Sequence, residues 1–149
     1  MKTPLVILIG TVILSISIIS ATFSAKSIAS AQETELDITS STLTGPFGGD
    51  KIGTLSISPS NDTTTISAIL TQTPGEGNVY EAWLIDEGGS GYQLSLGRIT
   101  ENGTLNFKQD MVNPYTYSQF IITEEPENDA DPKMASSKGG VELQTPFGQ

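Results

Sequence analysis

The chain contains neither cysteine nor histidine among its 149 residues. Without cysteine it cannot form a disulfide, so its stability must come from an apolar core and from strand pairing. The same absences remove the usual nucleophile and base of hydrolytic triads, and the usual ligands of structural zinc, type 1 copper and haem. These classes of enzyme and metalloprotein are therefore excluded.

Basic residues are scarce as well. Seven Lys and Arg stand against 17 Asp and Glu, and two of the seven, Lys2 and Lys26, lie in an N-terminal targeting segment. The rest of the chain is thus strongly acidic, and an acidic surface repels nucleic acid and anionic lipid headgroups. We expect no nucleic-acid partner, whereas basic proteins or divalent cations fit this charge.

The N-terminus has the order of regions found in targeting sequences. One Lys precedes an apolar run over residues 5–19, and small residues follow up to Ala31. This order predicts a secretory signal peptide over residues 1–31. The alternative is an uncleaved membrane anchor, because residues 4–23 are long enough to span a bilayer. Residues 32–149 are expected to form one domain. Both interpretations of the N-terminal segment place this domain outside the cell or on the outer face of the cytoplasmic membrane.

The remaining sequence has the periodicity of β-strands. No window keeps the apolar spacing of an amphipathic helix, whereas short alternating runs recur between turn signals. This pattern predicts an all-β domain, an antiparallel Ig-like sandwich of two sheets with about seven to eight strands. The predicted strands are residues 34–42, 51–58, 64–71, 79–86, 92–100, 104–107, 117–124 and 141–143.

The single Trp lies in the most apolar of these strands. Both faces of strand 79–86 are largely apolar, which predicts a central strand with Trp83 in the core. The glycine-rich stretch 86–91 predicts a hairpin loop after it, and Asn102-Gly103 predicts a two-residue turn. We therefore expect the strand of Trp83 and the two that follow to form a meander at the centre of one sheet.

Two segments have the composition of loops and are the expected partner contacts. Residues 108–117 cross between the predicted sheets, and residues 125–140 form a long loop with an acidic start. Oxygen ligands are what calcium prefers, so Glu127, Asp129 and Asp131 are a candidate calcium site, although the spacing is not that of an EF-hand. The alternative is a solvated acidic loop. No other cofactor is expected.

Paired carboxylates are the remaining catalytic option. Glu81, Glu124 and Glu125 would act as acid and base only if two of them shared a cleft. Nothing in their spacing places two of them together, so we expect that the protein is not an enzyme. Asn61 and Asn102 begin Asn-X-Thr sequons at predicted turns and are candidate glycosylation sites.

The order of the motifs resembles a known family. Residues 80–85 read YEAWLI, a Gly-containing hairpin and a Leu-Gly strand start follow within residues 91–99, and residues 120–126 read FIITEEP. This arrangement resembles the extracytoplasmic C-terminal domain of anti-sigma-K factors, the RskA-like family. The positions that match the family pattern are Tyr80, Trp83, Leu84, Gly97, Thr123, Glu125 and Pro126.

The resemblance implies an extracytoplasmic β-sandwich used for sensing or for protein contact. Family members carry a cytosolic sigma-binding domain before one membrane helix. Because only about four residues precede the apolar run here, we expect that this chain does not sequester a sigma factor by itself. The family's late Gly-Gly is replaced by Asn128-Asp129, and Gly139-Gly140 follows later.

Two functions follow from these observations. The favoured one is a non-catalytic binding or sensor module that acts through protein–protein contact with an unidentified cell-envelope or extracellular protein. Membrane contact is expected only through an uncleaved N-terminal segment. The alternative is a secreted, calcium-dependent cell-surface or matrix protein that uses the acidic residues 125–131.

Overall fold

The computed structural model describes residues 33–59, 63–110 and 116–147, and every regular element within these ranges is a β-strand. The predictions for the segment 1–31 and for Asn61 lie outside the described residues. The eight strands are β1 (Thr34–Ser40), β2 (Lys51–Pro59), β3 (Thr64–Leu70), β4 (Asn78–Ile85), β5 (Gln93–Arg98), β6 (Thr104–Gln109), β7 (Tyr117–Pro126) and β8 (Ser137–Phe147). Within the described ranges, no helix is both long enough and apolar enough to cross a membrane.

All eight strands belong to one antiparallel sheet in the order β5-β4-β7-β8-β1-β2-β3-β6. The prediction of an all-β, antiparallel fold with about eight strands is confirmed. The predicted division into two sheets of an Ig-like sandwich is not confirmed, because the sheet is continuous and nearly closed. Its two end strands, β5 and β6, are linked in sequence by the short turn at residues 99–103.

The continuity of the sheet depends on β1. This strand pairs with β2 from Thr34 to Thr39, with a bulge between Ile38 and Thr39. Its last residues also pair with β8, Thr39 opposite Gly140 and Ser40 opposite Gly139. Two four-stranded halves, β5-β4-β7-β8 and β1-β2-β3-β6, are thus joined by a two-residue seam. The alternation of apolar and polar residues within one strand does not indicate which other strand it pairs with. The sequence therefore did not predict the pairing of β1 with β8, and two sheets were expected.

Gly139 and Gly140 permit the close approach at this seam. A Cβ atom at Gly139 would overlap the carbonyl oxygen of Thr39, and one at Gly140 would overlap the carbonyl oxygen of Phe120 and the ring of Phe47. A side chain at Gly139 would therefore push β1 away from β8, and one at Gly140 would displace β7 or the Phe47 ring.

The predicted meander is correct for two strands and wrong for the third. Strand β4 lies between β5 and β7, as expected of a strand with two apolar faces. A turn forms at Asn102-Gly103, with Gly103 at φ +79° and its N–H donating to the Thr100 carbonyl at 2.8 Å. It is a loop of three residues, 101–103, and not the predicted two, because the Thr100 N–H donates to the Thr104 carbonyl at 3.0 Å. After the turn, however, β6 pairs with β3. Six residue pairs join β6 to β3. Strands β5 and β6 are therefore neighbours in sequence but lie at the two ends of the sheet order.

The main core lies on the inner face of the sheet and draws on every strand. Side chains alternate between the two faces of a strand, so core residues two positions apart, such as Ile66, Ala68 and Leu70 of β3, share one face. The buried members are Ile38, Ile52, Leu55, Ile57, Ile66, Ala68, Leu70, Tyr80, Ala82, Leu84, Leu96, Ile99, Leu105, Tyr117, Phe120, Ile122 and Leu143. Trp83 is not among them.

Candidate functional site

A second apolar cluster occupies the outer face of β4 and β7. Trp83 and Ile85 from β4 and Ile121 from β7 are each at most 7 % exposed. Outward-facing side chains of a sheet are buried only when something covers them. Phe47 and Met134 pack against the cluster from two separate loops and provide that cover.

The indole of Trp83 is fixed by a polar contact inside this cluster. Its Nε1–H donates to Oγ1 of Thr123 at 3.0 Å, and Thr123 is fully buried. A buried indole N–H needs a partner, since desolvation without one is costly. Thr123 therefore sets the orientation of the ring on which the two loops rest.

Glu125 holds one of these loops by its backbone. It lies two residues after Thr123, and hence on the same face of β7. Its carboxylate is only 4 % exposed and accepts the N–H of Ala135 at 2.9 Å. Hydrogen bonds to an ionised acceptor are stronger than neutral ones. Glu125 and Met134 thus fasten the end of this loop, one through Ala135 and one through apolar contact.

The acidic loop comprises residues 127–136, because β7 extends to Pro126 and β8 begins at Ser137. The predicted loop 125–140 therefore includes strand residues at both ends. Inside it, the N–H of Asp131 donates to Oδ1 of Asp129 at 2.8 Å, and the N–H of Lys133 donates to Oδ1 of Asp131 at 3.1 Å. Such side-chain to backbone bonds order a turn locally.

These bonds bear on the calcium prediction. The carboxylates of Asp129 and Asp131 already accept backbone N–H groups of their own loop. In the part of the chain that the structure describes, no group of three or more acidic side chains is arranged to hold a metal ion. Calcium binding at Glu127, Asp129 and Asp131 stays a prediction without support from this geometry.

The second covering loop, residues 41–50, is called here the Phe47 loop. The N–H of Ser41 donates to the Lys138 carbonyl at 2.9 Å, which ties the start of the loop to β8. The N–H of Gly48 donates to Oγ1 of Thr39 at 3.0 Å and ties its end to β1. Between these anchors Leu43 is fully exposed. The acidic loop and the Phe47 loop meet over Trp83, and together they are called the outer platform.

A charged cluster lies on the opposite face of β7 from Glu125. The carboxylate of Glu124 accepts from the N–H of Gly75 at 2.6 Å and from the side-chain amide of Asn78 at 3.1 Å, and it pairs with Nζ of Lys138 at 2.6 Å. The hydrogen bond from Lys138, followed by those from Gly75 and Asn78, lowers the pKa of Glu124 to about 2. Glu124 therefore attaches the β3–β4 connection to β7 and β8.

Tyr80 borders this charged cluster. Its hydroxyl donates to the Thr73 carbonyl at 3.1 Å, and burial, assisted by the charge of Glu124, raises the pKa of its phenol. A shallow cleft of about 150 Å³ lies next to it, lined in part by Asn78, Ile99 and Glu127. The cleft has no buried charged group along its lining, and we assign no chemistry to it.

The three carboxylates considered for acid–base chemistry have separate partners. Glu81 accepts from the hydroxyl of Ser95, Glu124 is bound in the Lys138 cluster, and Glu125 accepts from Ala135. None of the three lines the cleft beside Tyr80. In the described part of the chain, these three carboxylates are thus engaged separately, and the cleft beside Tyr80 contains none of them.

The other family-motif residues have structural positions. Leu84 is fully buried in the main core, and Gly97 adopts φ +93° opposite Ala82, next to the bulge in β5. Pro126 ends β7. Asn102 is exposed at its turn, and its Oδ1 accepts from the hydroxyl of Thr104 at 3.0 Å. Glycosylation of Asn102 stays a prediction.

Of the two loops expected to contact a partner, the crossover 108–117 has its residues 111–115 outside the described part of the chain. The other loop follows Pro126, where β7 ends. The acidic loop instead adjoins the Phe47 loop, whose residues Leu43 and Phe47 the sequence analysis did not single out. The available signal was a Phe isolated within the glycine- and proline-rich stretch 45–49.

These features define an all-β domain whose buried polar motif supports two surface loops. The family model "Anti-sigma-K factor rskA, C-terminal" matches residues 7–138. The chain therefore belongs to the anti-sigma-K factor RskA C-terminal family, as the resemblance indicated. This family consists of regulatory anti-sigma factors that are typically membrane-associated. No curated protein and no solved structure matches the chain significantly.

Proposed function

We propose that the protein is a non-catalytic, extracytoplasmic binding or sensor module that acts through protein–protein contact at the outer platform. The observation that supports this proposal is the use of the family motif. Trp83, Thr123 and Glu125 are all buried: Trp83 and Thr123 hydrogen-bond to each other, and Glu125 binds the acidic loop. The motif is a support for a displayed surface and offers no reactive group to a substrate.

Loops held in one conformation are suited to recognition. A partner then does not bear the entropic cost of ordering them when it binds. The acidic loop is ordered by its Asp129 and Asp131 turns and by the Glu125 contact. The Phe47 loop is ordered by its attachment to β8 and β1.

The chemistry of the outer platform suggests the kind of partner. Leu43 is a fully exposed apolar side chain, and Glu127, Asp129 and Asp131 are exposed in the neighbouring loop. Apolar anchors surrounded by charged residues are typical of protein interfaces. The partner is a cell-envelope or extracellular protein with a basic surface and a pocket for Leu43, and nucleic acid is not a partner.

A photo-crosslinking experiment tests this assignment. A benzophenone amino acid is placed at Leu43 in the full chain, and a matched chain carries it at Ile69, which is 57 % exposed on β3. Position 43 should give a discrete crosslinked product in cells, and this product should weaken when Asp129 and Asp131 are changed to Asn. Equal crosslinking at both positions, or none at position 43, would refute binding at the outer platform.

The extracytoplasmic location has its own test. Because the chain has no cysteine, a single Gly88→Cys substitution gives one thiol, in the exposed loop between β4 and β5. A membrane-impermeant maleimide should label this thiol in intact cells. Labelling only after lysis would place the domain inside the cell and contradict this part of the proposal.

A further inference from the structure

Met134 is the only methionine in the part of the chain that the structure describes. Its side chain is partly buried and packs against the cluster of Trp83, Ile85 and Ile121. The side chain is thus partly open to solvent, and it also forms part of the contact that fastens the acidic loop. No cysteine competes for oxidants in this chain.

We propose that Met134 is an oxidation site, and that a peroxide acting on it releases the acidic loop from the sheet. In this reaction the thioether sulfur attacks one oxygen of hydrogen peroxide, the S–O bond forms and the O–O bond breaks. Sulfur is oxidised by two electrons to the sulfoxide, and the departing hydroxide takes up the remaining proton and leaves as water. The product is a polar group in place of an apolar one.

The position of Met134 makes the loop sensitive to this change. Burying a sulfoxide against apolar side chains without a hydrogen-bond donor is unfavourable. Besides Met134, the bond from the Ala135 N–H to Glu125 fastens the end of the loop, and the Glu127 N–H, which donates to the Gly77 carbonyl at 2.9 Å, fastens its start. The N–H groups of Asp131 and Lys133 donate within the loop, so they do not attach it to the sheet. Loss of the Met134 contact therefore weakens the attachment of residues 128–134, which lie between these two hydrogen bonds.

The consequence for function rests on the proposed function, because it takes the outer platform to be the binding surface. An oxidised loop would lower affinity for a partner that reads the outer platform, and enzymatic reduction of the sulfoxide would restore it. The release of the loop is a property of the protein alone. It can be measured without any partner, so its failure and the failure of the proposed function are distinguishable.

The peptide bond between Lys133 and Met134 offers a direct assay, since trypsin cleaves after Lys. The full chain is treated with hydrogen peroxide, oxidation of Met134 is verified by mass spectrometry, and the rate of cleavage after Lys133 is measured. We expect this cleavage to accelerate about tenfold, as the loss of one partly buried apolar contact would give. Fluorescence of Trp83 should change in parallel, because a polar group would then lie against the cluster that contains its ring.

Two variants and one peptide serve as controls. Met134→Leu keeps an apolar contact that peroxide cannot alter, so its cleavage rate should not respond to peroxide. Met134→Gln places a polar group there and should be cleaved rapidly without peroxide. A peptide of residues 127–137, reduced or oxidised, gives the intrinsic effect of the sulfoxide on trypsin. The proposal is overturned if oxidised Met134 changes cleavage of the full chain no more than cleavage of the peptide, or if Met134 resists oxidation.

Discussion

Replacement of Trp83 by Ala is the most direct test of the outer cluster. Removing a buried Trp costs the transfer free energy of the ring and the free energy of the cavity, about 3–5 kcal/mol in protein cores. Here the ring is 5 % exposed and is covered by Phe47 and Met134, which belong to loops and can settle into the space. We therefore expect a loss near the lower limit, about 3 kcal/mol in the free energy of unfolding.

The assay is equilibrium unfolding in urea, followed by far-ultraviolet circular dichroism because the variant lacks its Trp. The midpoint should fall while the slope with denaturant stays constant, and the melting temperature should fall by about 12 °C, at roughly 4 °C per kcal/mol. An unchanged midpoint would show that the indole contributes little burial and would refute the packing described here.

Two companion variants separate ring packing from the hydrogen bond. Trp83→Phe keeps most of the ring and leaves the buried hydroxyl of Thr123 without its donor, which should cost about 1–2 kcal/mol. Thr123→Val removes the acceptor instead. If the bond between the two side chains matters, the double variant should be less destabilised than the sum of the single ones. Strict additivity would mean that Trp83 and Thr123 do not interact in solution.

Further predictions concern Glu124 and the seam. The pKa of Glu124 is lowered from 4.5 to about 2, so its charge stabilises the fold above pH 4.5 and this contribution is lost as the pH falls towards 2. Because Lys138 is half exposed, the contribution to the free energy of unfolding is about 1 kcal/mol. The melting temperature of a Glu124→Gln variant should therefore depend less on pH between 4.5 and 2 than that of the unmodified protein. The same pH dependence for both proteins would contradict the ion pair. Gly139→Ala should lower the free energy of unfolding by about 2 kcal/mol or more, because its Cβ would overlap the carbonyl oxygen of Thr39 on β1 and the side chain of Ile52. Gly88→Ala is the matched control, because a Cβ at Gly88 meets nothing within 4 Å, and its stability should be nearly unchanged. Equal melting temperatures for the two variants would refute the close approach at the seam.

The strands were predictable because the apolar and polar residues within each of them alternate. Strand β4 shows apolar residues on both faces, and the structure buries both, one in the main core and one under the loops. Strand β8 was predicted too short, as residues 141–143 against Ser137–Phe147. Gly139 and Gly140, near its start, have no side chains and so show no apolar–polar alternation. Pro146, near its end, is a residue that disfavours the prediction of a strand.

The pairing of strands was less predictable than their existence. The seam consists of two residue pairs between β1 and β8, about one hundred residues apart in the chain, and no local signal marks it. The partner of β6 was missed for the same reason, because the Asn102-Gly103 turn correctly predicts a reversal but not a continued ladder. Sequence alone thus predicts turns and strand faces, while packing across the whole domain decides which edges meet.

The candidate site shows the same limit in its chemistry. The motif residues Trp83, Thr123 and Glu125 were identified, yet their roles depend on Phe47, Met134 and Ala135, which come from two distant segments. The acidic side chains were read as metal ligands because composition suggests oxygen ligands. In the structure two of them are acceptors for the backbone of their own loop.

The separation between buried motif and exposed loop has a consequence for specificity. Glu125 binds the acidic loop through the backbone N–H of Ala135, and the cluster of Trp83 contacts this loop through Met134. Neither interaction depends on the identity of the exposed side chains of the loop. Leu43, Asp129 and Asp131 can therefore change without loss of the support beneath them, apart from the local turns. A match to the family motif consequently identifies the support and not the partner. Substitutions at Leu43 should alter binding with little effect on stability, whereas substitutions at Trp83 should alter both.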